Sequence, residues 1–183
     1  MAKHSAGILL YRLPKAELVL GFSQPSPLPQ PSYEFLLVHP GGPFWAGKDE
    51  HAWSIPKGNV EEEGHTGKAG KAGEAGRIEK MVTAARREFQ EETGMSYEGI
   101  ITPLPPVKTS GKFIHAFLGE GDFDVSAIKS NDFEMEWPPK SGKMQSFHEV
   151  DNAAWFDAET AKKKIHKGQI GLIDSAMTIL LGT

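Results

Sequence analysis

Three glutamates define the chemistry open to this chain. In the segment Arg87-Glu88-Phe89-Gln90-Glu91-Glu92-Thr93-Gly94, Glu88, Glu91 and Glu92 stand at i, i+3 and i+4, so a helix would carry all three carboxylates on one face. Like charges so placed repel, by about a few tenths of a kcal/mol per exposed pair and more where water is excluded. One reading is a solvated acidic face with Arg87 paired to Glu91 one turn on. The other is a site for a hard divalent cation, since Mg2+ takes oxygen ligands from carboxylates, waters and substrate phosphates. Phe89 and Met95 flank the carboxylates as apolar anchors expected to fix the helix against a core. Upstream, Trp53-Ser54-Ile55-Pro56-Lys57-Gly58 runs from a strand into a loop and offers the Gly58 carbonyl as one more oxygen. The chain has no Cys, which excludes thiolate catalysis, a disulfide scaffold and Cys-based zinc sites.

Elements able to position these residues follow from pattern and punctuation. Apolar runs predict strands over Ser5–Leu13, Glu34–Val38 and Ala52–Ile55, with Glu17–Phe22 as a further candidate. Ser23–Ser32 holds four prolines in ten residues and reads as a polyproline-like loop. The Gly/Ala/Lys-rich tract at 64–76 has nothing to bury and is expected to be a flexible insertion. Ile78–Thr93 is the best helix, with Met81, Ala84, Ala85 and Phe89 on its apolar face and Gly94 as its stop. Beyond it lie Ile100-Ile101, a Pro-rich turn, a strand over Lys112–Leu118, an irregular stretch over Asp122–Glu136 and a strand over Ser146–Val150. Helices are expected over Asp157–Ile165 and Ile170–Leu181. Strands on both sides of one central helix predict a mixed α/β sandwich and not the regular alternation of a parallel sheet. No long linker divides the 183 residues, so 1–183 read as one domain.

Composition narrows the function. With 20 Lys+Arg against 24 Asp+Glu the net charge is −4, which argues against nucleic-acid binding through bulk charge. The longest apolar run near the start, Gly7–Tyr11, is too short for a secretory or membrane-spanning segment. A soluble cytoplasmic protein without a membrane partner is the expectation. Nothing in the sequence speaks to oligomeric state.

Residues 79–95 resemble the Nudix box, whose pattern is Gly-x5-Glu-x7-Arg-Glu-U-x-Glu-Glu-x-Gly-U with U a bulky apolar residue. Glu79, Arg87, Glu88, Phe89, Glu91, Glu92, Gly94 and Met95 fill its second part. The likeness extends through Gly41-Gly42, Pro56-Lys57-Gly58 and Trp155-Phe156 over most of the chain. It is similar to bacterial Nudix proteins described as predicted nucleoside triphosphate pyrophosphohydrolases. One departure concerns the box glycine. Gly73 has the literal spacing but lies in the Gly/Ala/Lys tract, whereas Gly58 follows the strand and the Pro-Lys pair. Gly58 is taken as the box glycine, with the inserted residues within 59–78, which leaves open where Glu61, Glu62 and Glu63 sit.

The resemblance implies an α+β fold, a mixed sheet sandwiched by helices with the box helix against it. It implies hydrolysis of a pyrophosphate bond in a nucleoside diphosphate derivative, with Mg2+ or Mn2+ as cofactor and a nucleotide-type small molecule as substrate. Glu88, Glu91, Glu92 and the Gly58 carbonyl would hold the metal, Arg87 would orient a carboxylate, and Glu79 would steady the loop–helix junction or assist the metal. The general base would be a box glutamate, Glu91 or Glu92, or the later Glu149, six residues before Trp155. Lys57 is a candidate phosphate contact. Trp45 and Trp53 are candidates to stack a base or sugar, with core packing the alternative for Trp53. His39 and His51 are given no ligand role. Pro-Lys-Gly leans toward nucleoside triphosphates or dinucleoside polyphosphates, with ADP-ribose or a nucleotide sugar as the alternative. A nucleotide-sensing domain without turnover is the reading of a different class; retention of every box carboxylate argues for the enzyme.

Overall fold

The computed structural model describes residues 3–13, 32–60 and 73–182. Within them the order is β1 (Lys3–Arg12), β2 (Glu34–Pro40), β3 (Lys57–Asn59), α1 (Glu74–Thr93), β4 (Ile101–Pro103), β5 (Val107–Thr109), β6 (Lys112–Glu120), β7 (Asp132–Glu136), β8 (Met144–His148), β9 (Val150–Asp157), α2 (Ala158–Lys164) and α3 (Ile170–Leu181). Seven of these strands form a mixed sheet along the path β4-β6-β1-β2-β9, with β3 beside β1 and β5 beside β6. The β1–β6 pair is parallel and the other pairs are antiparallel. β7 and β8 form a separate two-stranded ribbon.

Strands buried on both faces read as continuous apolar runs, and β1 and β2 show what that accomplishes. Ala6, Ile8 and Leu10 alternate with Leu9, as Leu36 and Val38 alternate with Phe35 and Leu37. The first set packs with Ala84, Ala85 and Phe89 of α1. The second packs with Ala161 of α2 and with Leu172, Ile173 and Ala176 of α3. The result is the α/β/α sandwich expected. Phe89 is 1% exposed, and truncating such a side chain costs about 3–5 kcal/mol. Met95 is 37% exposed, so Phe89 anchors the box helix and Met95 does not.

The edge shared by β2 and β3 creates the site. β2 pairs with the end of β1, Tyr11 opposite Phe35, and β3 pairs nearer its start, Ala6 opposite Gly58. Between them the chain bridges from Val38, which pairs with Ser54, to Ile8, whose N–H donates to the Pro56 carbonyl. The strand expected over Ala52–Ile55 is thus only a pair of isolated bridges at Trp53 and Ser54.

Other expectations shift by local physics. α1 begins at Glu74, not Ile78, with Gly73 as N-cap and a Glu74–Arg77 pair one turn apart. Residues 74–76 of the expected flexible tract are therefore helical, although Gly76 costs about 1 kcal/mol against Ala there. The rest of that tract, Glu61–Glu63, and the candidate strand Glu17–Phe22 lie outside the described residues. Asp122–Glu136 is not wholly irregular, because it ends in β7. The strand expected over Ser146–Val150 breaks at Glu149, where β8 ends and the longer β9 starts. α3 matches its expected span and α1 stops at Gly94, whose φ of 78° is left-handed. No helix among the described residues is long and apolar enough to cross a membrane.

Candidate active site

Three consecutive residues of β3 each meet a residue of the box helix. The Lys57 backbone N–H donates to Glu92 Oε2 at 2.9 Å. Gly58 runs against the Glu88 carboxylate, so closely that a Cβ there would lie 1.7 Å from Oε2. The Asn59 carbonyl accepts from Arg87 Nη2 at 3.0 Å. Arg87 also lies 2.7 Å from Glu88 Oε1 and 3.1 Å from Glu91 Oε2. Its planar fork therefore serves as counter-cation to two of the three carboxylates while tying α1 to β3.

Burial pushes the Glu92 carboxyl up to about 7, with the Glu88 and Glu149 charges adding and the Lys57 charge and N–H opposing. Glu88 is 8% exposed and its carboxyl is also raised by burial, against the pull of Arg87 and with the push of Glu91 and Glu149. Negative charge is thus gathered where water is scarce. The donor set is all oxygen and fits a hard divalent ion, and the missing Cβ at Gly58 keeps the approach to Glu88 free. Among the described residues no three His, Asp or Glu side chains converge into a ready-made cation cage; Glu88 and Glu91 are instead paired with Arg87.

A family model for the NUDIX domain matches residues 28–175. The chain belongs to the Nudix family. Its reaction class is that of a Nudix pyrophosphohydrolase, hydrolysis of a pyrophosphate linkage. Among solved structures, an Ap4A hydrolase of C. elegans in a binary complex is 20% identical, covers 99% of each chain and has a TM-score of 0.53. The NUDIX domain of Shewanella oneidensis NrtR, complexed with ADP ribose, is 15% identical, covers 98% of this chain and 89% of its own, and has a TM-score of 0.54. At these identities the likeness is one of Nudix fold. Comparison with curated proteins gives no match.

The other expected site residues are scattered more widely around the Nudix helix. Glu149 sits at the bend between β8 and β9, exposed, and its charge reaches both Glu88 and Glu92. Glu79 is exposed and stands nine residues before Glu88 on a continuous helix, about half a turn out of phase; the structure does not bring it to the carboxylates. Gly94 closes the helix through its N–H to the Gln90 carbonyl at 2.7 Å. Gly73 meets nothing within 4 Å of a built Cβ. Trp53 is 6% exposed and belongs to the core, its Nε1 donating to Asp49 Oδ1 at 2.9 Å. His39 and His51 make structural bonds, His39 to Asp151 and the Lys48 carbonyl and His51 to the Ile165 carbonyl.

On the opposite face of the sheet from α1, a cavity of about 270 Å³ opens beside Lys57. Trp45 and Trp53 both line it, with Ile114 as apolar wall and Ser54, His166 and Gln169 as polar ones. Lys112 is a lining residue that spacing does not single out. Its signal was only its position, first in β6 and two residues before the buried Ile114, which places it on the cavity face.

Proposed function

We propose that this Nudix protein hydrolyses the phosphoanhydride of a nucleoside triphosphate or dinucleoside polyphosphate with the aid of Mg2+ or Mn2+. The observation that carries the reading is the clasp of β3 by the box helix, in which Glu88 and Glu92 meet the backbone of Lys57 and Gly58. That clasp holds two carboxylates and a backbone segment at one edge of a cavity large enough for a nucleoside. Glu88, Glu91 and Glu92 are the groups assigned to hold the ion; the Gly58 carbonyl expected beside them lies in the β1–β3 ladder opposite Ala6, between the outward-facing Lys57 N–H and Asn59 carbonyl, and so points away from the carboxylates. Bound there, a divalent ion neutralises phosphate charge and acidifies water. Arg87 orients Glu88 and Glu91 for that task. Glu149, exposed and near enough for its charge to act on Glu88 and Glu92, is assigned as the group that accepts a proton from the attacking water, with Glu91 as its competitor. Lys57 places its charge at the cavity and supports the phosphates.

The solved neighbours, an Ap4A hydrolase and an ADP ribose complex, both point to nucleotide ligands. The whole chain is assigned as one Nudix domain. A panel of nucleoside triphosphates, dinucleoside polyphosphates, ADP-ribose and nucleotide sugars, each with Mg2+ or Mn2+ and scored for phosphate and nucleoside monophosphate release, tests the proposal. Metal-dependent turnover of the polyphosphates supports it. Turnover of ADP-ribose alone reassigns the substrate, and binding with no turnover of any member leaves a sensor and overturns the enzyme.

A further inference from the structure

Two lysines line the cavity. Lys57 comes from β3 and Lys112 from the start of β6. β1 lies between their strands, pairing Gly7 with Lys57 and Lys3 with Lys112. Neither lysine forms an ion pair with any described residue, whereas Arg12, Arg87 and Lys162 all do. The Lys112 ammonium is held below its ordinary range by burial first and by the charges of Lys57 and Lys3, with Glu92 and Glu88 pulling the other way. Two like charges partly withdrawn from water, with no carboxylate bonded to either, are unfavourable in isolation. A polyanion supplies the compensation. The rest of the cavity suits a ring system, since Trp45, Trp53 and Ile114 offer apolar surface while Ser54 and His166 offer polar atoms.

We infer that Lys112 is a phosphate-binding residue that works with Lys57 as a two-cation clamp, and that the ligand's ring portion occupies the cavity beyond it. The phosphate chain then runs from the Glu88–Glu92 edge, past both lysines, to a nucleoside on the opposite face of the sheet. This deepens the proposed function and rests on it for the direction of the chain, but the clamp itself is a statement about anion binding. Its position selects ligands with several consecutive phosphates next to the nucleoside.

The test is a binding titration with Mg2+ present, using inorganic tripolyphosphate and the bis-methylene analogue of ATP, which has no cleavable phosphoanhydride. Lys112→Met keeps the aliphatic stem and removes the charge; Lys112→Arg keeps the charge. Loss of one charge-assisted contact is expected to weaken both ligands about tenfold or more in Lys112→Met. Lys112→Arg is expected to retain most of the affinity, and both variants should melt with the wild type. In turnover, Lys112→Met should raise KM for a nucleoside polyphosphate far more than it lowers kcat. Unchanged affinity of Lys112→Met for both ligands, equal loss in Lys112→Arg, or failure of the wild type to bind either anion would each overturn the clamp. If the wild type binds both anions through Lys112 yet turns over no nucleotide, the clamp stands and the hydrolase proposal falls.

Discussion

Gly58 and Glu88 are in such close apposition that position 58 has no room for a side chain: a built Cβ falls 2.1 Å from the Glu88 carboxyl carbon. A methyl group would push the carboxylate off its place or push β3 away from α1. Gly58→Ala is therefore expected to lower kcat/KM by about a hundredfold, the usual penalty for misplacing a catalytic group by an ångström. Gly73→Ala, where nothing lies within 4 Å, is expected to be close to silent. Steady-state kinetics on the two variants checks both. Equal activity in the pair would remove Gly58 from the site, and a loss confined to Gly73→Ala would return the box glycine to the literal spacing.

Glu92 gives a stability signal that is separate from activity. Its folded carboxyl titrates at about 7 against an ordinary value of 4.5. Below pH 4.5 both folded and unfolded chains hold the proton, and Glu92 costs nothing. Between 4.5 and 7 the unfolded chain has lost it while the folded chain retains it, so stability falls as pH rises; above 7 the loss is complete. The full shift would correspond to about 3 kcal/mol, and partial exposure reduces that to about 1–2 kcal/mol. In EDTA, Glu92→Gln is expected to raise Tm at pH 8 by a few degrees and to change it little at pH 5. The same variant should abolish metal-dependent turnover. A Tm gain that is independent of pH would mean that ionisation of Glu92 is not its cause.

Much of this arrangement is legible in the chain. The i, i+3, i+4 glutamates, the Phe89 anchor and the Gly94 stop are local signals, and local signals survive folding. The proximity of Lys57, Gly58 and Asn59 to Glu92, Glu88 and Arg87 joins segments some thirty residues apart; the sequence and the box resemblance anticipate Gly58 near the carboxylates but not the bonds of Lys57 to Glu92 and Asn59 to Arg87. β9 escapes pattern reading because Asp151-Asn152-Ala153-Ala154 lacks apolar alternation, while its backbone pairs with β2 from Asn152 to Asp157 and again at Val150, with an irregularity at Asp151. β7 does alternate, in Asp132-Phe133-Glu134-Met135-Glu136, and a period-two count would have found it. The start of α1 is hidden because a Gly-rich tract has low helix propensity; its first turns are largely exposed and extend a helix whose buried face begins only at Ala84. Lys112 is invisible because an isolated lysine at a strand end has no motif; its meaning comes from the cavity it lines.

Arg87 is the joint between the helix and β3. It is bonded to the Asn59 carbonyl and lies within ion-pairing distance of Glu88 and Glu91. A lysine ammonium cannot reproduce that fork. Arg87→Lys is expected to lower kcat about tenfold or more and to raise the metal concentration needed for half-maximal rate, since Glu88 and Glu91 would lose their orientation. Metal titration of initial rates reads this directly. A variant with wild-type metal dependence would show that Arg87 serves only the fold.

Glu149 is fixed by its backbone and free at its side chain. Its N–H donates to the Asn131 carbonyl at 2.8 Å, and its own carbonyl accepts from Gly41 at 2.9 Å. Asn131 in turn donates to the Glu91 carbonyl at 3.1 Å, so the bend is tied to the box helix itself. The exposed carboxylate can therefore meet a substrate without the loop having to order first. Glu149→Gln keeps size and backbone, and because the side chain is exposed Tm should not move. If Glu149 takes the proton from water, kcat should fall about a hundredfold to ten-thousandfold with KM little changed. The rise of kcat with pH on its acid side should flatten in the same variant, because the group that must lose a proton is gone. Glu91→Gln is the matched control: should the acid limb persist in Glu149→Gln and vanish in Glu91→Gln, the base is on the helix and Glu149 only adds to the field around Glu92.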